Sequence, residues 1–88
     1  MNQNDDKLIY DYADKFINLA NEMAQSDSSG RVGVAIRFAA ARYCAYEASM
    51  QTNNLAADKD KQLQDFVEAF QDMLRINLED YINMQSQK

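Results

Sequence analysis

The sequence has no histidine, no proline and no tryptophan, and it has a single cysteine, Cys44. Without histidine it lacks Ser-His and Cys-His nucleophilic pairs, imidazole zinc sites and the Glu-x-x-His metal sites of helical bundles. One cysteine can form neither an internal disulfide nor a thiolate zinc site. The chain also lacks a glycine-rich phosphate loop. We therefore expect no enzymatic activity, no cofactor and no bound metal.

Length and turn residues favour one small helical domain. The chain has 88 residues, which is enough for a single domain with a modest core. With only two glycines and no proline, it has few devices for tight turns, so a few long helices are favoured over many strands. The acidic beginning MNQNDD does not resemble a signal peptide, and no apolar run reaches the 18–20 residues needed to span a membrane. We expect a soluble, cytoplasmic protein.

Charge is unevenly distributed along the chain. The net charge is −5, made up of −4 in residues 1–29, +2 in residues 30–54 and −3 in residues 55–88. An acidic chain meets net repulsion from a phosphate backbone, so we expect no nucleic acid as partner. Because no apolar run is long enough to span a bilayer, we expect no membrane partner either. We expect the acidic outer segments to form favourable charge interactions with the basic centre of the same chain.

Hydrophobic periodicity predicts three helices at about 5–25, 31–51 and 55–84, preceded by a flexible tail at 1–4. The breaks between the helices are rich in serine, glycine, threonine and asparagine, which are turn and capping residues. The fold class we expect is an all-α, three-helix up-down-up bundle formed by one domain. The third helix would be about 45 Å long, so it either overhangs the bundle or breaks near Asn77. The poor helix propensity of asparagine favours the break.

The second helix is predicted to be central. Its apolar arc spans more than half of the helical wheel, which indicates burial by neighbours on at least two sides. Its narrow polar arc consists of Gly33, Arg37, Ala40, Cys44, Glu47 and Gln51. We expect the first and third helices to cover the apolar arc.

Arg42 is the anomalous residue of this helix, because it falls within the apolar arc. A buried guanidinium needs a partner. The favoured interpretation is a structural ion pair that fixes helix register; the alternatives are an anion-binding arginine in a pocket and a side chain that reaches the surface. The candidate partners are Asp14, Asn18, Glu22, Asn77 and Asp80. The candidate ligand or structural-network residues are Arg31, Arg42, Tyr43, Asn77 and Asp80.

Four short motifs resemble those of a small bacterial family of unknown function, seen mainly in proteobacteria. They are ADKFINLAN at Ala13–Asn21, GRV at Gly30–Val32, AARYCA at Ala40–Ala45 and NLEDYI at Asn77–Ile82. The resemblance implies an all-helical domain with no assigned activity. It coincides with Arg31, Arg42, Asn77 and Asp80, but it gives none of them a role.

Three hypotheses for function follow from these features. The leading one is a protein-interaction or homo-oligomerisation module without catalytic activity, working as a homodimer, because two single helices do not cover so wide an apolar arc. The alternative is a small-anion or metabolite sensor built on an Arg42-centred pocket. A third is a regulator that binds a basic protein through the acidic outer faces, with strongly salt-dependent affinity.

Overall fold

The computed structural model describes residues 3–87, with side chains from Asp5 onward, and is built from three α-helices. They are α1 (Gln3–Ser26), α2 (Arg31–Gln51) and α3 (Leu55–Ser86). No strand occurs among residues 3–87, so the predicted all-α fold class with three helices in this order is confirmed. Helix α1 begins at Gln3, within the stretch predicted as a tail, and the first two residues lie outside the described part.

Local chemistry explains where α2 begins. The hydroxyl of Ser29 accepts a hydrogen bond from the backbone N–H of Arg31 at 3.2 Å, which satisfies one of the free donors at the helix start. Gly30 has φ of +94°, a left-handed conformation that side chains disfavour. Asp27 stabilises the same turn, since its carboxylate accepts the N–H of Ser29 at 2.9 Å. Hydrogen bonds from the side chain and from the backbone of Ser29 hold the pKa of Asp27 below its ordinary value.

The start of α3 is fixed by a second set of capping contacts. The side-chain oxygen of Asn54 accepts the N–H of Ala57 at 3.3 Å, which makes Asn54 the N-cap of α3. The Thr52 hydroxyl donates to the Asp58 carboxylate at 2.5 Å. Both connections therefore end at helix starts that the sequence had indicated.

The chain divides into two compact units, and α2 contributes to both. The first unit ends at Tyr43 and holds α1 with the first part of α2. On α1 its less exposed residues, Asp6, Ala13 and Ala20, are seven apart and so share one side of the helix. On α2 the less exposed residues of this unit are Val32 and Gly33. Small side chains therefore line the contact between the two helices.

The second unit begins at Cys44 and holds the end of α2 with α3. Ala48 is the one buried residue in the described chain, at 4% exposed, and Cys44 is half-buried beside it. The less exposed residues of α3 share one side of its first three turns; they are Leu55, Asp58, Gln62 and Phe66. After Phe66 every described residue is exposed. The contact of α3 with α2 therefore covers only the beginning of this long helix.

The expected burial of the apolar arc of α2 was wrong for most of its large side chains. The protected residues Gly33 and Cys44 lie on the arc predicted to be polar, whereas the protected residues Ala48 and Val32 lie on the arc predicted to be apolar. On the apolar arc, Val34 is 60% exposed and Phe38 is 68% exposed. The physical reason is side-chain size: glycine, alanine and cysteine allow neighbouring helices to approach closely, so they form the contacts in place of the larger side chains.

The break favoured near Asn77 was also wrong, because α3 continues without interruption to Ser86. The side-chain amide of Asn77 donates to the backbone carbonyl of Met73 at 2.8 Å, one turn earlier. This bond satisfies the amide without disturbing the helix, which removes the main cause of the low helix propensity of asparagine. The assignment of the whole chain to a single domain stays a prediction.

Candidate functional site

All five residues predicted for a ligand site or structural network are exposed. Arg31, Arg42 and Tyr43 belong to the first unit, while Asn77 and Asp80 lie one turn apart on α3 in the second. Arg31 and Arg42 are eleven residues apart, which places them on the same side of α2. The ligand or network role of these residues stays a prediction.

The favoured ion pair of Arg42 is not found. Two ion pairs occur among residues 3–87, both within α3: Lys61 with Asp65 at 2.6 Å, and Arg75 with Asp72. Arg42 belongs to neither, and it lies on the side of α2 opposite to Gly33 and Cys44, where neighbouring helices make contact. A guanidinium on this outer side stays hydrated, so it needs no carboxylate within the chain.

The same holds for Arg31 and Arg37. Neither forms an ion pair within residues 3–87. A Cβ added at Gly33 would meet a guanidinium nitrogen of Arg37 at 3.5 Å, so this arginine folds over the small residue. The basic centre of the chain thus presents three guanidinium groups without carboxylate partners in the described structure.

The first unit contains a shallow groove of about 360 Å³. Small residues dominate its lining, including Ala20, Ala24 and Gly33. Its one ionisable side chain is Asp27, a carboxylate that is charged at neutral pH. None of the five predicted site residues lines this groove. Its charge disfavours an anion, so the groove does not supply the predicted anion-binding pocket.

Other reactive groups are sparse in the part of the chain that the structure describes. No group of three acidic or cysteine side chains among residues 3–87 is arranged to hold a metal ion. Cys44 is a free, half-buried thiol. None of the helices within these residues has the length and apolar character needed to cross a membrane.

Exposed apolar side chains are the dominant feature of the molecule. On α1, Tyr12, Phe16 and Leu19 are 52–67% exposed. On α2, Val34 and Phe38 continue with Ala41 and Ala45 into one row with spacings of four, three and four residues. Exposed hydrophobic residues occur singly on most soluble proteins, whereas contiguous rows mark surfaces that bind a partner.

The longest such row runs along α3, and we call it the α3 stripe. Its members alternate at spacings of four and three residues: Leu63, Val67, Phe70, Leu74, Asn77, Tyr81 and Met84. The six apolar members are between 46% and 65% exposed. Sequence reasoning had singled out Asn77 of this row, as a candidate site residue and as the favoured position of a helix break. The unbroken alternation of four-residue and three-residue spacings was the sequence signal that these residues form one row.

Comparison with known proteins places the chain in a family. Residues 9–82 match the family described as "Protein of unknown function (DUF3144)". The chain belongs to this family. The DUF3144 match covers all five predicted site residues and the α3 stripe up to Tyr81, and it confirms the resemblance to a family of unknown function. No curated protein and no solved structure matched the chain.

Membership of DUF3144 assigns no reaction, ligand or partner, so function has to be argued from the surface. That surface offers two features: rows of exposed apolar side chains on all three helices, and arginines on α2 without carboxylate partners.

Proposed function

We propose that this protein is a self-association module without catalytic activity, and that a second copy of the chain covers its exposed apolar rows. The observation that carries the proposal is the near absence of a core. Only Ala48 is buried among the described residues, while side chains as large as Phe16, Phe38 and Tyr81 are at least 65% exposed. Helices of this kind draw most of their stability from packing of an apolar face.

The exposed side chains support a second copy as the occupant. The six apolar members of the α3 stripe are between 46% and 65% exposed, and Phe16 of α1 is 67% exposed. Covering such apolar surface with a partner contributes about 25 cal/mol per Å².

Charge supports the same occupant. Residues 30–54 carry a net charge of +2, while residues 1–29 and 55–88 carry −4 and −3. Arg31, Arg37 and Arg42 form none of the ion pairs found in residues 3–87. A second copy brings acidic helices that can supply carboxylates to these arginines, so a protein with a net charge of −5 can still associate with itself.

The test is the mass of the purified protein in solution. Light scattering at tens of micromolar is expected to give about twice the chain mass of 10.1 kDa. Raising the salt concentration is expected to leave this mass unchanged, because apolar burial is not screened by ions. A monomer of one chain mass throughout this concentration range would refute the proposal.

The small-anion sensor is a second candidate, favoured by one observation: Arg31 and Arg42 lie on one side of α2 without a carboxylate partner. They are about 16 Å apart along the helix axis, so only an extended ligand with an anionic group at each end can reach both. Thermal-shift measurements with phosphate, dicarboxylates and nucleotides test this candidate. A rise in melting temperature that Arg31→Gln and Arg42→Gln both abolish would support the sensor, whereas no shift with any of these ligands would contradict it.

A further inference from the structure

The α3 stripe has the spacing of a two-stranded coiled coil. Apolar residues that alternate at three and four residues occupy positions a and d of a heptad, the positions that face a partner helix. Here Val67, Leu74 and Tyr81 take position a. Position d is taken by Leu63, Phe70, Asn77 and Met84. Six of these seven residues are apolar, so the stripe forms a nearly complete seam over three heptads.

We propose that α3 pairs with α3 of a second copy in a parallel, in-register coiled coil, with Asn77 of each chain facing the other. This inference rests on the proposed self-association and names the surface that carries it. The occupant is a second copy of this chain, because the pattern that defines the seam is the same on both partners.

The stripe is separate from the contact that α3 makes with its own chain. That contact uses Leu55, Asp58, Gln62 and Phe66, on a neighbouring side of the helix, and it ends at Phe66. Beyond Phe66 all described residues are exposed over about 30 Å of helix. A second helix can therefore lie along the seam without displacing α2.

Charges beside the seam permit two acidic helices to approach. The positions that flank the seam, e and g, are almost free of charge; they hold Gln64, Phe66, Gln71, Met73, Leu78, Asp80 and Gln85. The acidic residues Asp65, Asp72 and Glu79 fall at position f, on the far side of the helix. Only Asp80 adds a like charge near the interface, so repulsion between the two copies is small.

Asn77 selects the parallel orientation. In a parallel in-register pair each seam position faces its own counterpart, so the two Asn77 amides can hydrogen-bond to each other across the interface. In an antiparallel pair a position d faces a position a, and Asn77 would meet Val67, Leu74 or Tyr81. Pairing with Val67 or Leu74 leaves the Asn77 amide without a hydrogen-bond partner, which costs free energy in an apolar seam. Pairing with Tyr81 shifts the two helices along each other, so that Leu63 and Val67 lie beyond the end of the other helix and lose their apolar contacts.

Each Asn77 already donates one N–H to the Met73 carbonyl at 2.8 Å. Its second N–H and its oxygen remain for the amide of the other copy, since a side-chain amide has two donors and an accepting oxygen. The bond to Met73 also holds the side chain in one orientation. A single polar residue in such a seam fixes register at some cost in stability.

Disulfide trapping in the full-length chain tests the seam with Asn77 intact. The native thiol is removed by Cys44→Ser, and one cysteine is then introduced by Leu63→Cys or by Met84→Cys, at the two ends of the seam. The matched control is Asn83→Cys, next to Met84 but on the outer side of the helix. Diamide serves as the oxidant, and only cysteines with Cα atoms within about 7 Å can be bridged. Circular dichroism checks that all variants keep the same helicity.

The expected result is an interchain disulfide in the Leu63→Cys variant and in the Met84→Cys variant, at least tenfold faster than in the Asn83→Cys control. Disulfides that form only when a Val67→Cys variant is mixed with the Met84→Cys variant, so that a position a faces a position d, would show an antiparallel pair and overturn the orientation. Equal rates in all three variants, or none in any, would overturn the seam.

Failure of this inference can be told apart from failure of the proposed function. If the wild-type protein has twice the chain mass but none of the seam cysteines reacts faster than the control, self-association stands and another surface carries it. If the wild-type protein is a monomer, both proposals fall.

Adding Asn77→Leu to the Leu63→Cys variant is expected to lower its disulfide yield at least twofold, because an apolar seam no longer excludes antiparallel registers.

Discussion

Shortening Leu74 to alanine is expected to weaken self-association by a calculable amount. Leu74 lies in the middle of the α3 stripe and is 46% exposed in the chain. The change removes three carbon atoms, worth about 2.4 kcal/mol when fully buried. Since about half of the side chain remains to be covered by the partner, the loss of association free energy is roughly 1.1 kcal/mol per copy and about 2.2 kcal/mol per dimer.

A loss of this size corresponds to a dissociation constant about 40-fold higher. The cavity left in the seam adds to it, so about 40-fold is the lower bound. Sedimentation equilibrium over a range of protein concentrations measures the dissociation constant directly. Helicity measured at the same concentrations shows whether the variant still folds, which separates a weakened interface from a failure to fold.

The chain offers a matched control in Ile76→Ala. Ile76 is 56% exposed and lies only two residues from Leu74, but on a different side of α3. The change is expected to leave the dissociation constant within about twofold, since surface substitutions have small effects. Equal weakening by the two substitutions, or none by Leu74→Ala, would refute the assignment of the seam.

Three further predictions concern single residues. Asn54→Ala removes the cap of α3 and is expected to lower the free energy of unfolding by about 1 kcal/mol, measured by urea denaturation; no change would contradict the capping role. The folded pKa of Asp27 is below its ordinary value because Ser29 donates hydrogen bonds to it, so its contribution is present above about pH 4 and is lost as pH falls through the folded pKa. Asp27→Asn should therefore flatten the fall in melting temperature on acidification, and an unchanged slope would argue against this. Arg42→Met is expected to change the free energy of unfolding by less than about 0.5 kcal/mol, because the side chain is exposed and forms no ion pair within residues 3–87. A loss of several kcal/mol would instead support the hypothesis of a buried ion pair.

Capping chemistry made the helix starts predictable from the sequence. Ser29 and Asn54 stand directly before amphipathic runs, and each accepts a backbone N–H of the helix that follows. These signals are local, because the capping side chain and the N–H it satisfies are two or three residues apart. The start of α2 at Arg31 was therefore predicted from the sequence.

Which face of a helix its neighbours contact was not predictable in the same way. Periodicity shows that one side of α2 is rich in large apolar residues, and burial within the chain was the natural inference. In the structure the neighbouring helices contact Gly33, Cys44 and Ala48, and leave Phe38 exposed. Periodicity measures only how apolar each face is, and it does not distinguish burial within one chain from burial against a second chain.

Asn77 shows the same limit at a single residue. Propensity alone favours a helix end there, but the bond to the Met73 carbonyl satisfies the side chain inside the helix. The heptad spacing of the surrounding residues was legible in the sequence and favours an uninterrupted helix. Propensity is the weaker signal when it competes with a periodic pattern of this length.

The central claim is that these helices depend on a second copy for most of their apolar packing. The most direct test is the melting temperature of the wild-type protein as a function of its concentration. If folding and association are coupled, a 100-fold increase in protein concentration adds about 2.7 kcal/mol to the free energy of unfolding of the dimer. This should raise the melting temperature by roughly 5–10 °C. A melting temperature independent of concentration, at one chain mass of 10.1 kDa, would contradict the claim.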